Sequence, residues 1–202
     1  MATQITATTE LQAINTMLSA IGEAPVNTIE GTVSVDVSVA KNILDETSLS
    51  VQAEGHNFNT HIKSTVSKDT DNKIPLPVNC VQADASNDFR HMNLVIRDGF
   101  LYDMENDTDV FSSSTVPTLD LVLVQQFEHL PEYARRYITV KAARRFASRF
   151  IGDAGLAQLI QFDEQEALNQ FKQADSRSAD LNILKGDANT FSIIDRQPRR
   201  RY

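Results

Sequence analysis

Four carboxylates alternate along one short stretch: Asp103, Glu105, Asp107 and Asp109. Such spacing suggests a calcium loop, but an EF-hand also needs glycine at its sixth position and glutamate at its twelfth. Counted from Asp103, those places hold Thr108 and Ser114, so the stretch reads as a solvated acidic loop. The histidines are His56, His61, His91 and His129; His56 and His61 stand five apart, but no cysteine or carboxylate beside them completes a zinc-ligand set. Cys80 lies among prolines and polar residues without a local base, which suits a small buried residue better than a nucleophile. The sequence has no H-E-x-x-H, no G-x-S-x-G and no P-loop. A glycosidase needs two carboxylates close in space, and nothing in the sequence singles out a pair. No catalytic, cofactor-binding or metal-ligating residue is assigned.

The remaining chemistry is that of charge. Arg135, Arg136, Lys141, Arg144, Arg145 and Arg149 share one segment with Tyr133, Tyr137, Phe146 and Phe150. Planar guanidinium groups suit phosphates or carboxylates. The plainer reading is a solvated basic face opposite a core face of Tyr137, Val140, Phe146 and Phe150. Asp163, Glu164 and Glu166 follow, and would pair with that face within one subunit or across a subunit boundary. A ring of identical subunits requires two different patches that meet, and an arginine-rich patch with an acidic one satisfies this. Arg199, Arg200 and Arg201 form a third cluster, suited to an acidic partner or to solubility.

Hydrophobic spacing defines the elements that must carry these groups. Leu11, Ile14, Met17, Leu18 and Ile21 recur at helical period. Thr9 and Gln12 predict a capping box, Gly22 a left-handed stop, and Pro25 bars resumption. A second helix is expected from about Val33 to Glu54, although Val33–Val39 also alternates like a strand. From Phe58 to about Phe127 the runs shorten. Phe58, Thr60 and Ile62 alternate as in a half-buried strand. Ile74–Val81 is extended, but its prolines limit it to an edge or an irregular strand. Leu94–Arg97, Asp98-Gly99 and Phe100–Tyr102 predict a hairpin with a type I′ turn. Leu119–Val124 reads as another strand. Pro131 is expected to open a third helix reaching Ile151, and Asp153 to cap a fourth that carries Leu156, Leu159, Ile160, Ala167, Leu168 and Phe171. The predicted fold is α+β: a bundle of about four helices with a small antiparallel β-insertion between helices two and three. The bundle takes residues 1–57 and 128–185, the insertion 58–127, and an extended tail 186–202.

The 202 residues carry 19 basic and 27 acidic side chains, a formal charge of −8. This disfavours a general nucleic-acid binder, whose affinity rests on neutralised phosphates, and suits a surface that DNA passes without sticking. No apolar run approaches the ~20 residues of a membrane span. The N-terminal Met-Ala-Thr-Gln-Ile-Thr predicts no signal peptide, and a single cysteine fits a reducing compartment.

The order Glu10-Leu-Gln-Ala-Ile-Asn-Thr-Met-Leu-Ser-Ala-Ile-Gly-Glu-Ala-Pro-Val-Asn-Thr-Ile-Glu-Gly31 closely resembles the N-terminus of the tail tubular protein A family, the tail adaptors of short-tailed bacteriophages (podoviruses). Gly55-His-Asn-Phe-Asn59 resembles the family's Gly-Trp-x-Phe-Asn element, with His56 where tryptophan is expected. Leu130–Gly152 is similar to its long third helix, and Lys185–Phe191 to its C-terminal element. The resemblance implies a structural virion protein without enzymatic activity or cofactor, made in the host cytoplasm and built into the viral tail. It implies a ring of about twelve copies. The ring would join the capsid portal to the tail nozzle (tail tubular protein B), carry the tail fibres, and pass duplex DNA during ejection into the host. Arg199, Arg200 and Arg201 would then dock on a neighbouring virion protein. Two other classes compete. A carbohydrate-degrading hydrolase would show a cleft with paired carboxylates. A nucleic-acid-binding helical protein would show tight, salt-sensitive binding to duplex DNA.

Overall fold

The computed structural model describes residues 7–31, 33–86, 89–112, 116–150 and 154–178, the last with side chains at 158 and from 160 onward. Among the described residues, four helices and five strands follow one another in blocks. Helices α1 (Glu10–Ala20) and α2 (Val35–Gln52) precede strands β1 (Thr60–Thr65), β2 (Cys80–Ala85), β3 (Leu94–Arg97), β4 (Phe100–Asp103) and β5 (Thr118–Leu123). A 3-10 turn, Phe127–His129, leads into α3 (Glu132–Phe150) and α4 (Ala154–Ser178). The architecture is the expected α+β arrangement, with the strands between helices two and three.

Local chemistry accounts for the helix ends. Thr9 Oγ1 accepts from Gln12 N at 3.2 Å and Gln12 Oε1 accepts from Thr9 N at 3.0 Å, completing the capping box. At the other end Gly22, at φ +81°, lets Gly22 N reach Ser19 O and Glu23 N reach Leu18 O. These bonds occupy carbonyls that helix termination would otherwise leave open. The strand-like alternation of Val33–Val39 loses to the helix. Ser34 caps α2, Val37 and Ala40 turn inward, and Val35 is left 76% exposed. Helix α3 begins at Glu132, one residue after Pro131, whose carbonyl accepts from Ala134 N and Arg135 N. Its expected end near Ile151, the Asp153 cap, the side chains of Leu156 and Leu159, and the tail lie outside the described residues.

The strands form two small antiparallel sheets. One has the order β1-β5-β2 and the other is the hairpin β3-β4. The hairpin turns as predicted: Asp98 and Gly99 both take positive φ, 51° and 80°, as a type I′ turn demands. Residues 74–76 run beside β4, with Leu101 N donating to Ile74 O and Leu76 N to Gly99 O, both at 2.9 Å. This part of the extended, proline-bearing segment thus lies at an edge, one of the two placements expected for it. Strand β2 was not foreseen as a separate element. The alternation proposed for Phe58, Thr60 and Ile62 fails. A register shift between His61 and Ser64, with Lys63 at φ +57°, turns Ile62 outward to 66% exposure. Phe58 packs instead against the helical core.

There are two cores. The helical one holds Ile14, Met17, Leu18, Ile43, Leu44, Ile138, Phe146 and Phe171 among others. The other lies between the sheets, around Ile74, Leu101, Leu119 and Leu121. Each fully buried large side chain contributes roughly 1.5–3 kcal/mol. A buried polar joint connects the halves. Gln52, with no exposed surface, donates through Nε2 to Ser48 Oγ and Gln125 O, each at 3.0 Å, and accepts from Gln125 N at 2.7 Å. Asn59, equally buried, donates to Gln52 O at 2.8 Å and accepts from His56 N at 2.8 Å. The end of α2, the start of β1 and the exit of β5 are thereby held together.

Candidate functional site

Helix α3 is central, touching α1, α2 and α4. Its basic residues therefore emerge between neighbouring helices rather than along one open face. The expected core face is only partly realised. Tyr137 and Phe146 are buried, Val140 is half-buried, and Phe150 is 43% exposed at the helix end.

Arg135 is consumed internally. Nε donates to Leu130 O at 2.7 Å, Nη1 to Thr8 O at 2.8 Å and Nη2 to Glu128 O at 2.5 Å. Three carbonyls from two separate segments thus share one rigid fork. Glu132 helps from the same turn, accepting from Thr8 N at 2.8 Å and Thr8 Oγ1 at 2.5 Å. The group that looked available for a partner pins the N-terminal segment to the start of α3.

Arg144 pairs with Glu164 of α4 in the same chain, Glu164 being only 14% exposed. Arg145 Nη1 lies 3.2 Å from Thr47 Oγ1 and 4.0 Å from Glu46 Oε1, and Arg149 Nη2 lies 3.5 Å from Glu46 Oε2. Lys141 sits 4.0 Å from Glu54 and 5.3 Å above the Tyr137 ring. The sequence pairs this basic group with α4 alone, yet Glu46 of α2 and Glu54 of the turn after it also serve it.

Other members of the proposed set face solvent. Arg136, Asp163 and Glu166 are exposed, Glu166 accepting from its neighbour Gln170 at 2.9 Å. Arg199, Arg200 and Arg201 lie outside the described residues. Burial raises the Asp45 carboxyl above its usual range. Like charge on Glu10 adds to this, and Lys41 opposes it. Lys41 Nζ stands 3.2 Å from Glu10 Oε1.

His56, in the position where tryptophan was expected, fills an aromatic slot. Its ring stacks on Phe58 with centroids 5.6 Å apart and meets Phe171 edge-on at 4.7 Å. Tyr133 and Tyr137 close the cluster around Phe171. Burial also raises the Tyr133 hydroxyl above its ordinary range.

Cys80 is half-buried rather than buried, and its removal from water pushes the thiol up. Asp103 of the alternating carboxylates turns inward and is 4% exposed. It accepts from Asn106 Nδ2 at 2.8 Å and from the amides of Glu105 and Asn106, and these bonds hold its carboxyl below the usual range. Among the described residues it is the one carboxylate lining a depression of about 480 Å³ edged by Phe89, Met92 and Phe111. Among the described residues no three histidine, cysteine or carboxylate side chains gather as metal ligands.

A helical scaffold with several of its charges paired within the chain, carrying a sheeted insertion on a polar joint, defines an α+β protein whose chemistry lies in packing and contact surfaces. Residues 11–181 match the profile of the tail tubular proteins. That span covers most of the chain, so the protein belongs to the tail tubular protein family and is a structural component of a phage tail. No curated protein matches the sequence.

Proposed function

We propose that the protein is a tail adaptor. Copies close side by side into a ring of about twelve. One side of the ring meets the capsid portal and the other the tail nozzle, tail fibres attach nearby, and DNA leaves through the central channel. The work is mechanical rather than enzymatic, and it places the protein in the virion after synthesis in the host cytoplasm. The observation that carries this reading is the family match across residues 11–181. The formal charge of −8 agrees with a lining that repels passing DNA.

The contact residues proposed for the ring are those left open by internal pairing: Arg136 against Asp163 and Glu166 of the next copy. Arg149, 56% exposed at its side chain, adds to the basic patch. Arg144, Arg145, Glu164 and Arg135 support these surfaces from within. Arg199, Arg200 and Arg201 dock on the portal or nozzle. Negative-stain imaging of the purified chain, alone and with its portal protein, tests the reading. Rings are expected, and Arg136→Glu should abolish them without changing helical content. Absence of the chain from mature particles would refute it.

A further inference from the structure

The three-stranded sheet has two unlike edges. Its outer strands, β1 and β2, each carry a register shift, between His61 and Ser64 on one and between Cys80 and Gln82 on the other. Such bulges interrupt the row of amides and carbonyls that an added strand would need, and they re-aim side chains. On β1 the shift turns Ile62 out to 66% exposure, with Lys63 exposed beside it. One exposed apolar residue means little by itself.

The opposite edge gives Ile62 its weight. There β2 and β3 border a depression of about 350 Å³, lined by Val81, Ala83, Leu94 and Ile96 and by Asp84. Ala83 and Leu94 are buried, whereas Val81 is 39% exposed. The edges also differ in charge. Asp84 is exposed, and its Oδ1 accepts from the neighbouring amide, Ala85 N, at 2.8 Å. Among the described residues neither Lys63 nor Asp84 forms an ion pair. Strand β5 separates the two edges, so a chain does not seat its own Ile62 in its own depression.

We propose that Ile62 of one copy seats in the β2–β3 depression of the next, with Lys63 against that copy's Asp84. The two patches differ and lie on opposite edges of one sheet, so the contact is heterologous and repeats from copy to copy. It rests on the ring reading above and adds a second contact to it, between insertions rather than helices. The register shifts keep neighbouring sheets from fusing into one, and side chains make the join.

Negative-stain imaging of the full-length chain over a dilution series, alone and with its portal protein, tests the contact. Ile62 is exposed, so Ile62→Ser should leave the circular dichroism and melting of the chain unchanged. It should raise the concentration needed for rings about tenfold, the scale of one aliphatic side chain returned to water. Lys63→Asp and Asp84→Lys should each have the same effect by setting like charges together. Aspartate tolerates the positive φ of 57° at position 63. Mixed in equal amounts, these two variants should form rings at the native concentration, because alternating copies restore opposite charges at every join. A rescue within one chain has no such dependence on mixing. Rings from Ile62→Ser at the native concentration, or no recovery in the mixture, would overturn the contact and leave the ring standing. A native chain that forms no rings, alone or with its portal protein, refutes both.

Discussion

Replacing Gln52 by methionine tests whether the polar joint holds the two halves together. Methionine matches the length and approximate volume of the side chain, so packing changes little. What disappears is both polar ends of one amide. Gln125 N loses its 2.7 Å acceptor, Gln125 O its 3.0 Å donor, and Ser48 Oγ a further partner. An orphaned buried backbone group costs about 1–3 kcal/mol. Two are orphaned here, but Gln125 is only half-buried, and water recovers part of the loss. The expected destabilisation is therefore about 2–4 kcal/mol, a fall of about 5–12 °C in melting temperature. Urea unfolding followed by circular dichroism measures it, with a midpoint lower by about 1–2 M at unchanged slope. Gln125→Ala is the control: it keeps the backbone groups that Gln52 serves and should cost under about 0.5 kcal/mol. A Gln52→Met protein as stable as the native one, or a control that is equally damaged, would refute the reasoning.

Two further predictions concern the charged helix and the single thiol. Arg144→Glu should lower the stability of the isolated chain by about 1–2 kcal/mol, because Glu164 is left facing a like charge with little water around it. Adding Glu164→Arg should restore about half of the loss by thermal melting, whereas a pair acting only between subunits would leave the monomer's melting untouched. Burial pushes the Cys80 thiol up. Near neutral pH the folded chain should therefore react with a disulfide reagent about tenfold more slowly than the urea-unfolded chain, and the rate should climb as pH rises towards and past the ordinary thiol range; identical folded and unfolded rates would contradict it.

Local rules made the helices and the hairpin legible. Thr9, Gln12 and Gly22 set the ends of α1 through bonds spanning a few residues, and Asp98-Gly99 sets its turn through the φ values of two neighbours. Such interactions are complete within a short window, so residue order suffices. The residues that resemble the tail tubular family were equally readable, and the family match extends across both helical blocks. The same window misread Ile62, because a bulge at Lys63 inverts the strand's facing and bulges leave no mark on alternation.

The amino-acid order alone determined the helices, the β3–β4 hairpin, the α+β class and the family, since each rests on short-range spacing or on the chain's own motifs. Tertiary structure decided what the charges do. Arg135 resembles Arg136 in sequence, yet one closes on three carbonyls and the other faces solvent. Gln52 passes for a polar interruption of an apolar stripe until Gln125, far along the chain, supplies its partners. His56 meets Asp175, far along the chain, 3.9 Å from its ring Nδ1. The reason is common to all three: the energy of a polar group depends on which distant groups share its low-dielectric surroundings, and only the folded chain brings them there.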